Sequence, residues 1–104
     1  MLFQSAMRVR FAPGPLEQLE TDPKFTGGHS AELVRLYRRK LNFIRQSMDE
    51  RDLYGLKSLR FEKLKGARSH QRSIRLNDQW RLILQLEGDG EAKTVLIVSI
   101  EDYH

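Results

Sequence analysis

Arg72-Ser73-Ile74-Arg75-Leu76-Asn77-Asp78-Gln79-Trp80-Arg81-Leu82-Ile83-Leu84-Gln85-Leu86-Glu87 reads as two strands joined by a tight turn. Apolar and polar residues alternate on either side of Asn77-Asp78-Gln79, whose side chains suit a chain reversal. The length of that turn fixes which residues face each other. A two-residue loop at Asn77-Asp78 would set Arg75 against Trp80 and Ile74 against Arg81, mixing charged and apolar groups on both faces. A three-residue loop pairs Leu76 with Trp80, Arg75 with Arg81 and Ile74 with Leu82. It gathers Ile74, Leu76, Trp80, Leu82 and Leu84 on one core face, so this register is the expected one. Arg75 and Arg81 are then opposed on the outer face, where like charges destabilise by a few tenths of a kcal/mol unless an anion or carboxylate lies between them. Two readings stay open: the pair is a phosphate site, or Asp102 or Glu62 bridges it.

Outward from this hairpin, a turn at Gly88-Asp89-Gly90 leads to a third strand, Thr94 to Ile100. Met7 to Phe11 forms a short strand ended by Pro13, Gly14 and Pro15, and Leu16 to Glu20 a brief helical stretch. Asp22-Pro23 and Gly27-Gly28 mark a loop. Ser30 suits the N-cap of a longer helix in which Leu33, Leu36, Tyr37, Leu41, Ile44 and Met48 recur at spacings of three and four. Its other face carries Arg35, Arg38, Arg39 and Arg45, either as a solvated surface or as a contact for a large anion. The basic segment from Lys57 to His70 is punctuated by Gly55 and Gly66 and is expected mostly as loop, with an extended piece around Leu59 to Leu64. The chain is therefore expected to be an α+β protein: two N-terminal helices packed on a small, mostly antiparallel sheet of about four strands. Residues 7–104 form a single domain in this reading, since 104 residues suit one core. Met1 to Ala6 is a leader, an upstream start or a cloning remnant.

Composition narrows the function. Hydrophobic residues make up 39% and charged residues 31%, the balance of a folded chain with a heavily charged surface. The longest apolar run, Val95 to Val98 followed by Ile100, falls far short of the roughly 20 residues needed to cross a bilayer, so no membrane role is expected. There are no cysteines, which excludes disulfides, thiol nucleophiles and Cys-containing zinc sites and fits a reducing cytoplasm. His29, His70 and His104 lack the spacing of a metal site, and no metal or other cofactor is expected. The net charge of +4 hides an asymmetry. From Lys57 to Arg81, eight Lys/Arg stand against Glu62 and Asp78, a balance of +6 that leaves −2 for the rest. Such a block is the footprint of a phosphate-backbone partner, or else a solvated face that keeps the protein soluble.

Three motifs in order carry a family resemblance: Phe61-Glu62-Lys63-Leu64-Lys65-Gly66, then Ser73 to Leu82 with its Trp80-Arg81-Leu82 triplet, then the terminal Asp102-Tyr103-His104. Together they resemble the HigB-type toxins of the RelE superfamily, which share a Leu-x-Gly pattern, a strand–turn–strand ending in Trp-Arg-Leu and an Asp-Tyr-His end. Met7 lies where such proteins usually begin, and Glu20-Thr21 matches a Glu-Thr after the first helix. The resemblance implies a RelE-like fold and the toxin of a type II toxin–antitoxin pair. Such a toxin enters the ribosomal A site, lined by 16S rRNA, and cuts the bound mRNA. It also implies a helix-turn-helix antitoxin of the HigA type as partner. One position departs from the pattern: Glu62 stands where the best-known HigB proteins have histidine. A carboxylate with a reference pKa of roughly 4.3 is a weaker base than imidazole, which points to a modestly active enzyme.

Metal-free RNA cleavage needs a group to take the 2′-OH proton, cations to stabilise charge on phosphorus, and a group to protonate the leaving 5′ oxygen. On the resemblance, the catalytic set is Glu62, Lys65, Arg81, Tyr103 and His104. Arg81 stabilises the phosphate with Lys65 and Arg75 beside it. His104, with a reference pKa of roughly 6.5, is the natural proton-transfer group. Tyr103 stacks on a base or orients the phosphate, unless it only closes the sheet edge. Asp102 orients a cation, and Lys57, Lys63, Arg68, His70, Arg72 and Arg75 contact the RNA. Two rivals remain on the same scaffold: a ParE-like DNA gyrase inhibitor, and a catalytically weak RNA-binding module.

Overall fold

The computed structural model describes residues 7–88 and 94–103, so the early leader, most of the expected Gly88-Asp89-Gly90 turn and His104 lie outside the described residues. Five strands form one sheet in the order β1-β5-β4-β3-β2. These are β1 (Arg8–Phe11), β2 (Glu62–Lys63), β3 (Gln71–Arg75), β4 (Trp80–Glu87) and β5 (Thr94–Asp102). Three α-helices accompany them: α1 (Leu16–Thr21), α2 (Ala31–Gln46) and α3 (Glu50–Gly55). Short 3-10 turns occupy Lys57–Leu59 and Gly66–Arg68.

The β3–β4 hairpin adopts the three-residue register expected from charge alternation. Ile74 faces Leu82 and Arg75 faces Arg81. Both Leu76 and Asn77 N–H donate to the Trp80 carbonyl, at 2.9 and 3.3 Å. The turn is tied from within by Asn77 Oδ1, which accepts from the Gln79 and Trp80 amides, each at 2.8 Å. Ile74, Leu76, Leu82 and Leu84 are buried on the face that meets the helices, with Trp80 packed against them. Ser30 caps α2 by accepting from Leu33 N–H, and its apolar stripe, Leu33, Tyr37, Leu41 and Ile44, lies buried in the same core.

An irregularity in β5 decides which groups reach the other face. Leu84 pairs with Ile97 and Ile83 with Ser99, leaving Val98 as an extra residue in β5. Val95 and Ile97 point into the core before the bulge and Ile100 packs against the core after it. Strict alternation would have turned Ser99 and Glu101 inward; the bulge puts them on the outer face beside Ile83 and Arg81.

Two expectations require correction. The sheet has five strands, and it is mixed because β1 runs parallel to β5, with Val9 beside Val95 and Phe11 beside Ile97. The added strand is β2, inside the expected extended piece, where Glu62 and Lys63 pair with Ser73 and Arg72. The α-helices among the described residues number three, because α2 stops at Gln46 and does not reach Met48. Ser47 turns to extended backbone, Asp49 caps a new helix by accepting from Arg51 N–H at 2.8 Å, and Leu53 of that helix is fully buried. Nor is the basic face of α2 uniformly solvated. Arg38 donates to the Leu19, Asp22 and Phe25 carbonyls, and Arg45 forms a two-pronged ion pair with Glu20. Both tie α1 and the loop after it onto α2.

Candidate active site

The outer face of the sheet carries a row of three opposed side chains, Arg75 on β3, Arg81 on β4 and Glu101 on β5. Three cations near this row are disposed in three ways. Arg75 forms an ion pair with Asp78 of the turn. Arg68, reaching over from the Gly66–Arg68 turn, grips Glu101 with both terminal nitrogens at 2.9 and 2.8 Å. Arg81 has no carboxylate ion pair among the described residues. Its Nη1 donates to the Asn77 carbonyl at 3.0 Å, and its guanidinium carbon lies 4.0 Å from the centroid of the Tyr103 ring. The planar ion is thus held over the π-face of the ring, and Arg81 borders open space there. Of the two open readings of the opposed pair, a bridging acid is found among the described residues only for Arg75, and it is Asp78 of the turn and not Asp102 or Glu62.

Tyr103 reaches Arg81 because its backbone is tied down: its N–H donates to the Gln79 carbonyl at 2.6 Å, carrying the chain past the end of β5 alongside the β3–β4 turn. Gln79 Nε2 also donates to Asp102 Oδ2 at 3.0 Å. Arg81 and Tyr103 both border two cavities. One, of about 300 Å³, is bordered by Arg60, Arg75, Asp78, Arg81 and Tyr103. The other, of about 210 Å³, has Leu64, Ser73 and Ile83 with Arg68, Glu101 and Asp102 around it. Arg60, in the left-handed region at φ 51°, follows the Lys57–Leu59 turn. For a residue with a Cβ, that conformation costs on the order of 1 kcal/mol.

The sequence-predicted residues divide accordingly. Arg75, Arg81 and Tyr103 share the first cavity, while Arg68, Arg81, Asp102 and Tyr103 share the second. Glu62 lies on the edge strand β2 and belongs by register to the same outer face as Ser73. Lys65 is exposed beside it, and neither borders a cavity. Lys57, Lys63 and His70 are exposed and border neither cavity. Arg72 stands on the opposite face, across from Leu84, with Nη1 donating to the Ser69 and Gln71 carbonyls and a buried, unpartnered Nε. Two bordering residues escaped sequence reasoning. Arg60 sat within the basic window without a distinguishing signal, and Glu101 needed knowledge of the bulge.

Burial, reinforced by the charges of Arg39 and Arg75, holds the Lys40 ammonium of α2 below its ordinary pKa. Glu101 is held below the usual carboxylate range, chiefly by the hydrogen bonds from Arg68, with a further one from Ser99 Oγ at 2.6 Å. Among the described residues no three His, Asp or Glu side chains gather as metal ligands would.

The chain is similar in structure to a YoeB/ParE toxin from Agrobacterium tumefaciens, at 15% identity and TM-score 0.60, over 94% of this chain and 100% of that one. It is also similar to a conserved hypothetical protein from Helicobacter pylori, at 12% identity and TM-score 0.51, over 95% and 94% of the two chains. The YoeB dimer from Staphylococcus aureus matches at 19% identity and TM-score 0.50, over 96% and 99%. Identities this low speak for the fold alone. No curated protein matches the chain in sequence. The family model for the RelE-like toxin of type II toxin–antitoxin system HigB matches residues 10–104, and the chain belongs to this HigB-like toxin family. A type II toxin implies an antitoxin partner.

Proposed function

We propose that this toxin is an endoribonuclease that cuts mRNA in the ribosomal A site without a metal ion, stopping translation in the cytoplasm until a helix-turn-helix antitoxin of the HigA type neutralises it. The observation that carries the proposal is the Arg81 guanidinium, fixed over the Tyr103 ring with no carboxylate partner among the described residues and bordered by Arg60 and Arg75. A cation held rigidly in an open pocket suits a phosphate that gains charge in its transition state.

In this reading the ribose 2′ oxygen attacks the adjacent phosphorus while its proton passes to a base. The bond to the 5′ oxygen breaks, and that oxygen takes up a proton. The products are a 2′,3′-cyclic phosphate and a 5′-OH. Arg81 neutralises the charge on the non-bridging oxygens, with Lys65 and Arg75 adding positive potential, and Tyr103 orients the phosphate. His104 follows Tyr103 directly in the chain and is the proton-transfer group; Glu62, on the same face of the sheet, is the second candidate base. Asp102 orients a cation, and Lys57, Lys63 and His70 steer the RNA backbone.

The test is expression in growing cells with pulse labelling. Protein synthesis should fall before DNA synthesis. If DNA synthesis stops first and gyrase–DNA cleavage complexes accumulate, the proposal fails in favour of the ParE-like reading.

A further inference from the structure

Glu101 sits directly opposite Arg81 in the β4–β5 ladder, yet it bonds to Arg68 instead. Adjacent opposite charges on one face of a sheet ordinarily attract, and an Arg–carboxylate pair of this kind is favourable where geometry allows two parallel bonds. Here both carboxylate oxygens of Glu101 are taken. Oε1 accepts from Arg68 Nη1 at 2.9 Å, while Oε2 accepts from Arg68 Nη2 at 2.8 Å and from Ser99 Oγ at 2.6 Å. Gln71 holds the Arg68 guanidinium from the other side, accepting from Nε at 2.9 Å. Arg68 therefore has three of its donors committed within the protein, in a position between the loop and β5.

We propose that Arg68 is a positioning residue whose ion pair occupies Glu101 and so keeps the neighbouring Arg81 guanidinium available for a phosphate group. Without Arg68, Glu101 is the nearest carboxylate across the ladder, and it competes with phosphate for Arg81. This assigns Arg68 an internal role in place of direct contact with RNA. Asp78 does for Arg75 the opposite of what Arg68 does for Arg81, since it engages the cation itself. The proposal rests on Arg81 being an anion-binding group, the premise of the endoribonuclease reading.

The experiment compares the wild type, Arg68→Ala and the double variant Arg68→Ala with Glu101→Gln, in two assays. The first follows the Arg81 Nε–H resonance during titration with inorganic phosphate, and the second the cleavage of ribosome-bound mRNA. Arg68→Ala should weaken phosphate binding about tenfold and slow cleavage similarly, far less than loss of a charge-stabilising donor itself, which costs roughly 100- to 1,000-fold. Adding Glu101→Gln removes the competing charge and should restore both to within about twofold of the wild type. A direct RNA contact by Arg68 would not be rescued, so a double variant as impaired as the single one overturns the proposal. A wild-type Arg81 resonance that does not respond to phosphate overturns it as well. Wild-type protein that binds phosphate in the expected pattern but leaves mRNA intact would sink only the endoribonuclease reading. Arg68 is nearly half exposed, so all three proteins should fold, and matching thermal unfolding checks this.

Discussion

Replacing Arg81 with Ala separates its structural from its catalytic role. The substitution removes one hydrogen bond, from Nη1 to the Asn77 carbonyl at 3.0 Å, and the contact of the guanidinium with the Tyr103 ring at 4.0 Å. The first contributes about 1 kcal/mol and the second about 0.5–1 kcal/mol at a partly exposed site. Removing the charge opposite Arg75 returns a few tenths. The net loss is about 1.5 kcal/mol, small against the roughly 5–15 kcal/mol typical of a domain, so the variant stays folded. Its cleavage rate should fall about 100- to 1,000-fold. Arg81→Lys keeps the charge but loses the planar fork and the ring stacking, and should fall between the two. Single-turnover cleavage on programmed ribosomes, with urea unfolding in parallel, measures both quantities. An Arg81→Ala protein that is folded and cuts at the wild-type rate would refute the assignment of Arg81 to the phosphate.

His104→Gln should slow cleavage about 100- to 10,000-fold while shifting stability by only about 0.5 kcal/mol; Glu62→Gln should match that loss only if Glu62 is the base, and rate measurements on both variants distinguish the cases. Neutralising the exposed Lys57 and Lys63 should reduce the slope of log affinity for RNA against log salt, and an unchanged slope would exclude them from phosphate contact. The Tyr37 phenol is fully buried, donates to the Leu16 carbonyl at 2.8 Å, and has its pKa raised chiefly by that burial. A raised folded-state pKa gives stability that is complete below the unfolded value near 10 and lost as pH climbs beyond it. Urea midpoints from pH 7 to 11 should therefore drop at the alkaline end in the wild type and much less in Tyr37→Phe, which gives up about 1 kcal/mol at neutral pH for the lost hydrogen bond.

The hairpin register was legible because the wrong turn length would have buried charge: Arg75 and Arg81 can share an outer face only if three residues form the turn. Local signals of that kind exist for neighbouring strands and for the capped helix α2. They do not exist for β1, whose partner β5 lies more than 80 residues further along the chain and whose parallel pairing leaves no turn to read. Helix α3 was hidden because its six residues bury only Leu53, too few for a periodic stripe. The same limits apply to the site. Arg81 and Tyr103 stood out by their motifs, whereas the Arg68–Glu101 pair depends on the extra residue Val98, which reverses the facing of everything after it in β5. Arg72 shows the converse. Its charge placed it with the RNA-contacting residues, but alternation along β3 sets it on the helix-facing side.

The most direct measurement of the central claim uses purified ribosomes carrying a defined mRNA in the A site, with and without this protein. The account predicts a cut within the A-site codon that leaves a 2′,3′-cyclic phosphate and a 5′-OH, and that is lost with Arg81→Ala. Intact mRNA after incubation with folded protein, or a cut whose products carry a 5′ phosphate, would contradict it.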